Sequence, residues 1–336
     1  MVWSNQFTKA ALGLSLFLSM TSCAVDVAEP EAGAELEQGI GSASLVVMSV
    51  NVRIPDDTGE RAWDRRLPRI RDMVNSTFPS GPHLIGLQEL RGWTRDQLTA
   101  ALPQYWWYTV DRGDGEMIGI FVRTDRLTVL DYGYRDVSNG ARDDSCGLSD
   151  DEDPKNRPIQ YVLVRDKTTN KQSYFYNTHY PSKNSCERYG MSNIFASYVA
   201  ARAQPSARAI LVGDFNDGIN ADYSKNGSFQ RLLDRTGYTA AFLQGPRTPP
   251  IIGNNFLTGN SFNKEARVGK IIDHVLVSNA SDVFEMGIDR SMFRRTNGAR
   301  VSCFTVTNGR CNENTVPVAD LELYSDHWAV WASLRQ

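Results

Sequence analysis

Short apolar runs, many of them rich in β-branched residues, recur along the chain and are separated by polar and glycine-containing segments. Runs of this kind, bounded by turn signals, are typical of β-strands. The pattern predicts strands at 44–53, 83–89, 105–108, 116–123, 127–130, 159–165, 173–177, 210–213, 270–278 and 324–334. We expect two hairpins: one joins 116–123 to 127–130 through residues 124–126, and the other joins 159–165 to 173–177.

Four further segments are predicted as helices: 63–74, 94–102, 191–203 and 228–234. In the first, Leu67, Ile70 and Val74 recur at helical spacing, and we expect the arginines on the other face to be solvated. His83 precedes a predicted strand and is expected at the surface. With 336 residues and 41% hydrophobic content the chain can bury a large core, and a single α/β domain of this size is within the usual range.

The stretch with the strongest chemical signal follows the predicted strand at 210–213. The apolar run ends at Gly213 and is followed directly by Asp214, Phe215 and Asn216. Alternation places both polar side chains on one side and the phenyl ring on the other. A buried strand that stops at a glycine is a usual place for ligand groups in an α/β sheet, although an ordinary Asx turn is the alternative.

Other predicted strands carry polar groups near their ends. The residues concerned are Asn51, Glu89, His179, Asp273 and the adjacent pair Asp326 and His327. Glu89 is a hard oxygen ligand of the type that Mg²⁺ or Ca²⁺ requires, and His179 is a candidate acid or base. Asp273 and Asp326 each stand beside a histidine against an apolar strand, where a charge is costly unless it is paired.

These six motifs, in this order, resemble the endonuclease/exonuclease/phosphatase superfamily, which contains deoxyribonuclease I, abasic-site endonucleases, neutral sphingomyelinases and inositol polyphosphate 5-phosphatases. The resemblance covers residues 44–335. It rests on Asn51 in Ser-Val-Asn-Val-Arg, Glu89 in Gly-Leu-Gln-Glu, His179 in Asn-Thr-His, Asp214 and Asn216 in Gly-Asp-Phe-Asn, Asp273 in Ile-Ile-Asp-His, and Asp326 with His327 in Ser-Asp-His. It implies a four-layer α/β sandwich, in which two packed mixed β-sheets are flanked by helices.

The resemblance also implies roles for individual residues. Glu89, Asn51 and Asp326 would hold Mg²⁺, with Mn²⁺ or Ca²⁺ as alternatives. His327, oriented by Asp273, would be the general base on water or stabilise the developing charge, and His179, oriented by Glu116, would protonate the leaving oxygen or donate to the phosphoryl group. Asp214 and Asn216 would position the nucleophile and bond the phosphoryl oxygens, and Arg157 would contact a phosphate.

The substrate is predicted to be a phosphodiester, with DNA favoured. The region from Glu116 to Arg157 looks most like deoxyribonuclease I, because Glu116 opens a strand, a cysteine-bearing loop follows, and Arg157 directly precedes Pro158. The alternatives are a sphingomyelinase-like lipid phosphodiesterase, which would favour exposed aromatic residues near the site, a phosphomonoesterase of the same superfamily, and a catalytically inactive binding module. Trp106 and Trp107 are candidates for such exposure, whereas Trp328 and Trp331 fit core packing.

The N-terminal segments are predicted to be targeting and linker sequences that do not fold. Residues 1–22, with Lys9 before an apolar run, are typical of a signal peptide, and Cys23 follows a sequence that resembles a lipoprotein box. Residues 23–41 hold five acids and no base, which predicts a disordered tether, and 42–336 form the catalytic domain. We therefore expect an exported protein, either secreted or held at the cell envelope by an N-terminal lipid. We expect a monomer with no obligate protein partner.

The net charge gives no support for long-range attraction of a nucleic acid. The whole chain carries −3, and the body without the leader and tether, which hold one lysine and five acids, carries +1. A local basic groove within a neutral body is the alternative. The loop at 245–263, rich in Pro, Gly and Asn, is predicted to select the substrate.

Four cysteines remain in the body, an even number that predicts two disulfides in an exported protein. Cys303 and Cys311 enclose Asn308-Gly309, a tight-turn signal, so we predict that bridge and, by elimination, Cys146 with Cys186. The acidic segment 139–153 around Cys146 is predicted as a solvated loop, with Ca²⁺ binding as the alternative.

Overall fold

A computed structural model describes the chain from residue 44 onward, with gaps. The described residues are 44–77, 81–137, 157–183, 185–219, 227–244, 247–248, 258–259, 261, 271–289, 291–294, 296–297, 299–302, 306–307, 310–311, 316–317 and 321–336. The predicted leader, tether and 139–153 loop lie outside them, as do Cys23, Cys146 and Cys303. Within these ranges no helix is long and apolar enough to cross a membrane.

The described strands are short and follow one another closely. In chain order they are β1 (Leu45–Asn51), β2 (Leu84–Arg91), β3 (Tyr105–Asp111), β4 (Glu116–Arg123), β5 (Leu127–Arg135), β6 (Ile159–Asp166), β7 (Gln172–His179), β8 (Ala207–Ile219), β9 (Thr239–Ala240), β10 (Arg247–Thr248), β11 (Ile271–Val277), β12 (Val283–Asp289), β13 (Ser291–Arg294), β14 (Arg300–Ser302), β15 (Val306–Thr307), β16 (Arg310–Cys311), β17 (Val316–Pro317), β18 (Leu321–Glu322) and β19 (Ala329–Leu334). The α-helices are α1 (Trp63–Ser76), α2 (Gly92–Ala101), α3 (Ser185–Ala200) and α4 (Gly227–Thr236).

Two large mixed sheets pack against each other to form the core. The first has the strand order β10-β12-β19-β1-β2-β4-β3, and the second has the order β5-β6-β7-β8-β11-β9. Strands β1 and β2 of the first sheet contact β7 and β8 of the second, while the helices pack on the outer faces. Every residue of β1 is buried, as expected for a strand covered on both faces. This arrangement is the predicted four-layer α/β sandwich.

A glycine allows the two sheets to approach closely below the edge at which the motifs lie. A Cβ atom at Gly86 would lie 2.4 Å from Val212 Cγ2 and 2.7 Å from Asn177 Oδ1. Any larger residue at position 86 would therefore push the second sheet away. The sequence therefore sets the spacing of the sheets at this point through the absence of a side chain.

One of the two predicted hairpins is wrong. Strands β6 and β7 pair antiparallel as expected, but β4 and β5 belong to different sheets. Strand β4 pairs with β2 and β3 on its two sides, and β5 pairs with β6, so the turn at 124–126 carries the chain from one sheet to the other. Strands β15 and β16 do pair antiparallel on either side of Asn308-Gly309, in agreement with the turn signal there.

The expectation of solvated arginines on α1 is correct for Arg65 and wrong for Arg66 and Arg69, and the expectation that His83 lies at the surface is wrong. On α1, Arg66 and Arg69 are 0% and 7% exposed, because backbone carbonyl groups and a carboxylate accept their hydrogen bonds inside the protein. Burial lowers the pKa of the Arg66 guanidinium to about 10, and it stays charged at neutral pH. His83 is also buried, since its Nδ1 accepts a hydrogen bond from the Val46 backbone N–H over 2.9 Å.

Candidate active site

Strand register brings the motif residues to one edge of the sandwich. In the parallel pair β7–β8, His179 stands opposite Asp214, and in the antiparallel pair β8–β11, Asp214 stands opposite Asp273. In the other sheet, Asn51 at the end of β1 is beside Gln88, and Glu89 follows it on β2. The polar strand ends that the sequence separates by more than 200 residues therefore meet at one place.

Asp214 lies between the two candidate catalytic histidines. Its carboxylate is buried, and its Oδ2 is 3.6 Å from His179 Nε2 and 3.8 Å from His327 Nε2. Burial and the neighbouring Asp273 raise the pKa of Asp214, while the two histidines oppose that rise. Phe215, between Asp214 and Asn216, is buried and packs edge-on against Tyr180.

The residues predicted to ligate a cation lie beside Asp214. Asn51 Nδ2 donates to Glu89 Oε1 over 2.9 Å and to Asp214 Oδ2 over 3.1 Å. Burial works against ionisation of Glu89, but His179 and the bond from Asn51 outweigh it and lower the pKa of the Glu89 carboxyl. Asn51 Oδ1 accepts the Arg53 N–H, so in this geometry the amide connects two carboxylates, and its role as a ligand stays a prediction.

Asp326 faces a mixed environment on the same side. Burial raises the pKa of its carboxyl, and the Arg53 guanidinium lies 3.6 Å from its Oδ2. The neighbouring Ser325 hydroxyl donates to the Asn51 carbonyl over 2.7 Å, which connects the segment before β19 with the end of β1.

Two groups of described side chains could hold a hard divalent cation; Glu89 belongs to the first, and the predicted ligand Asp326 belongs to neither. Ligand atoms of Glu89, His179 and Asp214 lie within 4.8 Å of one another, and so do those of Asp214, Asp273 and His327. Several carboxylates gathered with little access to water repel one another, and a cation of the Mg²⁺ type, which prefers oxygen ligands, would relieve that repulsion.

His327 forms a dyad with Asp273. The distance between its Nδ1 and Asp273 Oδ2 is 2.8 Å, which leaves Nε2 directed toward Asp214. Burial disfavours the imidazolium, but Asp273 and Asp214 outweigh burial and raise the pKa of His327 well above its usual range. The adjacent carboxylate also fixes which ring nitrogen carries the proton.

His179 has its own carboxylate. Its Nδ1 lies 3.2 Å from Glu116 Oε1, and the same oxygen accepts a hydrogen bond from Arg112 Nη1 over 2.5 Å. Burial works against the charge on Glu116, but His179, Arg112 and Arg157 outweigh it and lower its pKa to about 2. Glu116 is thus held ionised beside the imidazole, and the buried Arg157 lies near enough to affect it.

Three residues at the site have left-handed backbone conformations although none is glycine. The φ angles are 62° at Arg53, 61° at Glu89 and 49° at Asn216. At Asn216 this conformation lets its N–H bond Asp214 Oδ1 over 2.8 Å and its Nδ2 bond the Tyr180 carbonyl over 2.8 Å. Such strain persists only where surrounding contacts over-determine it, and it is concentrated at functional sites.

Four residues that support this site were not predicted. Gln88 and Asn177 form a hydrogen bond between the sheets, Arg112 pairs with Glu116, and the Thr258 hydroxyl accepts the N–H groups of Ile272 and Asp273. Gln88 and Asn177 stand inside the quoted motifs, where a buried amide in an apolar strand was a usable signal. No sequence signal marks Thr258, which lies in the 245–263 loop that we expected to select substrate; five residues of that loop are described.

Cys186 is disulfide-bonded. Because Cys146 and Cys303 lie outside the described residues, both proposed pairings stay predictions.

Trp328 and Trp331 are buried in the core as expected. Trp107 is 40% exposed, but the Arg95 guanidinium lies over its ring.

The model of the Endonuclease/Exonuclease/phosphatase family matches residues 48–327. No curated protein matches the chain. Among solved structures, a Bacteroides thetaiotaomicron protein described as an endonuclease/exonuclease/phosphatase family protein superposes with a TM-score of 0.66 at 22% identity, covering 87% of this chain and 97% of that one.

Two further structures share the fold. A mannosyl-6-phosphatase of the same organism has a TM-score of 0.67 at 21% identity, over 87% of this chain and 100% of its own. D. rerio TDP2, complexed with a single strand DNA product, has a TM-score of 0.56 at 16% identity, over 88% and 100%. At these identities the likeness concerns the fold.

Proposed function

We propose that this chain, which belongs to the endonuclease/exonuclease/phosphatase family, is a metal-dependent phosphodiesterase that hydrolyses nucleic-acid phosphodiester bonds. We propose in addition that it is exported. At the level of the family it is a phosphoesterase. The nucleic-acid substrate, the use of Mg²⁺ and the export of the protein are the specific parts of this proposal.

One arrangement carries the proposal: Asp214 lies between two histidines, each of which has a carboxylate of its own. Hydrolysis of a phosphodiester needs one group that takes a proton from water and one that gives a proton to the leaving oxygen. His327 with Asp273 and His179 with Glu116 supply two such groups, whose Nε2 atoms lie within 4 Å of the same carboxylate oxygen.

The residues divide the work as follows. In its neutral form His327 would accept the proton of the attacking water, and in the protonated form that its raised pKa favours it would stabilise the developing charge; the Asp273 carboxylate would stabilise the imidazolium in both cases. His179 would donate to the leaving oxygen, while Asp214 and Asn216 hold water and phosphoryl oxygens in line. Arg157 would contact a phosphate. Glu89, Asp326 and Asn51 would hold a divalent cation, which would neutralise phosphate charge.

The choice of substrate rests on two kinds of support. The sequence between Glu116 and Arg157 resembles deoxyribonuclease I, and one structure with the same fold is complexed with DNA. A second candidate is a phosphomonoester, because another structure with this fold is a mannosyl-6-phosphatase. For the lipid alternative, Trp107 is exposed, although the Arg95 guanidinium lies over its ring, and Trp328 and Trp331 are buried.

Export is proposed on the sequence of residues 1–41 alone. A signal peptide, an acidic tether and Cys23 as a lipidation site would place the catalytic domain outside the cytoplasm or at the cell envelope. The intact mass of the mature protein tests this: a lipidated N-terminal Cys23 is the expected result, and a chain that retains residues 1–22 would contradict export.

The activity is tested by incubating the purified protein with supercoiled plasmid and Mg²⁺, with and without EDTA. We expect nicking that EDTA abolishes and that His327→Ala lowers by at least ~10²-fold. His83→Asn, which alters a histidine remote from the site, is the matched control and should nick normally. Absence of nicking, with turnover of p-nitrophenyl phosphate or sphingomyelin, would contradict the nuclease proposal and favour the corresponding alternative.

A further inference from the structure

Helix α1 directs two buried arginines at the two chain segments that are proposed to ligate the cation. Arg66 and Arg69 are three residues apart, so they share one face of the helix. One segment is 51–54, which follows β1 and contains Asn51. The other is 322–326, which precedes β19 and contains Asp326.

Arg66 bonds the first segment entirely through backbone carbonyl groups. Its Nη1 donates to the carbonyls of Val52 and Arg53, and its Nη2 donates to that of Ile54 over 3.0 Å. The Ile54 N–H in turn donates to Glu89 Oε2 over 3.0 Å. A chain of direct contacts therefore leads from Arg66 to a proposed ligand.

Arg69 bonds the second segment in a comparable way. Its Nη1 donates to the Leu323 carbonyl over 3.2 Å, and its Nη2 pairs with the Glu322 carboxylate. Asp326 follows three residues after Leu323, and the Ser325 hydroxyl connects this segment back to the Asn51 carbonyl. The two segments are thus joined to each other and to the same helix.

We infer that Arg66 and Arg69 are positioning residues through which helix α1 fixes the relative placement of segments 51–54 and 322–326, and thereby the affinity for the divalent cation. A planar guanidinium suits this task, because its fixed fork of donors reaches several carbonyls that a single ammonium group does not reach. The inference rests on the proposed function, because it takes Glu89, Asn51 and Asp326 as the ligands.

Removing one of these arginines should change cation affinity in opposite directions, depending on whether the arginine acts through its charge or by placing the ligands. An arginine that acted only through its positive charge would repel a cation, so its removal would tighten cation binding. An arginine that acts by placing the ligands would weaken binding when it is removed. The direction of the change therefore distinguishes the two.

The experiment measures Mn²⁺ affinity by isothermal titration calorimetry on the full chain. We expect Arg66→Met and Arg69→Met each to weaken Mn²⁺ binding by at least ~10-fold, and Arg66→Lys to recover only part of the loss. Arg71→Met removes a half-exposed arginine of the same helix, which pairs with Asp72, and this variant should bind Mn²⁺ as the wild type does.

Loss of stability alone is controlled by Met73→Ala, which removes a fully buried side chain from α1. This variant should lower the melting temperature without changing Mn²⁺ affinity by more than about twofold. Unchanged or tighter Mn²⁺ binding by Arg69→Met and Arg66→Lys would overturn the inference, even if Arg66→Met does not fold. A wild-type chain that binds no Mn²⁺ would overturn the metal proposal as well, so the two failures are distinct.

Discussion

Gln88 on β2 donates a hydrogen bond to Asn177 on β7, with 2.7 Å between Nε2 and Oδ1, and so connects the two sheets directly below the candidate site. Asn177 Nδ2 donates in turn to the carbonyls of Leu87 and Gly119 in the first sheet, over 3.0 and 2.8 Å. Gln88 immediately precedes Glu89. The contact therefore fixes the separation of groups that the two sheets contribute to one reaction.

Replacing Asn177 with leucine should damage both stability and activity. The substitution removes Asn177 as partner of two buried backbone carbonyls and of the Gln88 amide, which keeps its 3.3 Å contact with Ser49 Oγ. The loss should lower the free energy of unfolding by about 3 kcal/mol. Chemical denaturation and phosphodiester turnover measure the two effects. The double variant Gln88→Leu with Asn177→Leu should be less unstable than the sum of the single variants, and strict additivity would contradict a direct bond.

Thr258 should affect turnover through the backbone of Asp273. Its hydroxyl accepts the N–H groups of Ile272 and Asp273, over 2.9 and 3.1 Å, and so positions the backbone that carries the partner of His327. Thr258→Val keeps the volume and loses the acceptor, so kcat should fall while KM changes little. Thr258→Ser keeps the hydroxyl and should recover most of kcat; equal losses in both variants would count against this explanation.

Asp273→Asn tests the dyad more directly. An amide that donates to His327 Nδ1 would favour the wrong tautomer, and it would not stabilise an imidazolium. We expect turnover at least ~10²-fold below that of the wild type and a melting temperature within a few degrees of the wild-type value. A folded Asp273→Asn protein with wild-type turnover would show that the short contact with His327 is structural only.

The fold and the set of site residues follow from the family resemblance, which rests on six short motifs at or near strand ends. Glu89 and Asp214 are examples: an apolar run predicts the strand, and the polar residue that ends it indicates the edge at which ligands lie. Their meeting in space follows from register in the parallel pairs β1–β2 and β7–β8.

The sequence-based predictions that are wrong or missing concern residues whose environment is set by groups distant in the chain. Strands β4 and β5 resemble a hairpin locally, but β4 is already paired on both sides, so β5 must pair elsewhere. The arginines of α1 fit a solvated face by periodicity, whereas the carbonyls at 52–54 and that of Arg61 explain why Arg66 is buried. Thr258 acts through Asp273, fifteen residues later, and nothing near it signals that contact.

His83 shows how burial of a polar residue makes stability depend on pH. Its ring accepts the Val46 N–H, which requires an unprotonated Nδ1, and its backbone N–H donates to the Val46 carbonyl over 2.8 Å. Burial, followed by the positive charges of Arg126 and Arg123, lowers the pKa of His83 from 6.5 to about 4. The folded state therefore excludes a proton that the unfolded state accepts.

The contribution of His83 to stability should be complete above pH 6.5 and should be lost as the pH falls from 6.5 through 4, because the unfolded chain binds the proton first. The shift corresponds to roughly 3 kcal/mol of unfolding free energy. His83→Asn retains an acceptor for Val46 without titrating, so its stability relative to the wild type should improve from pH 7 to pH 4. Urea denaturation across this range measures the difference, in which titrations common to both proteins cancel; a pH-independent difference would contradict a neutral buried His83.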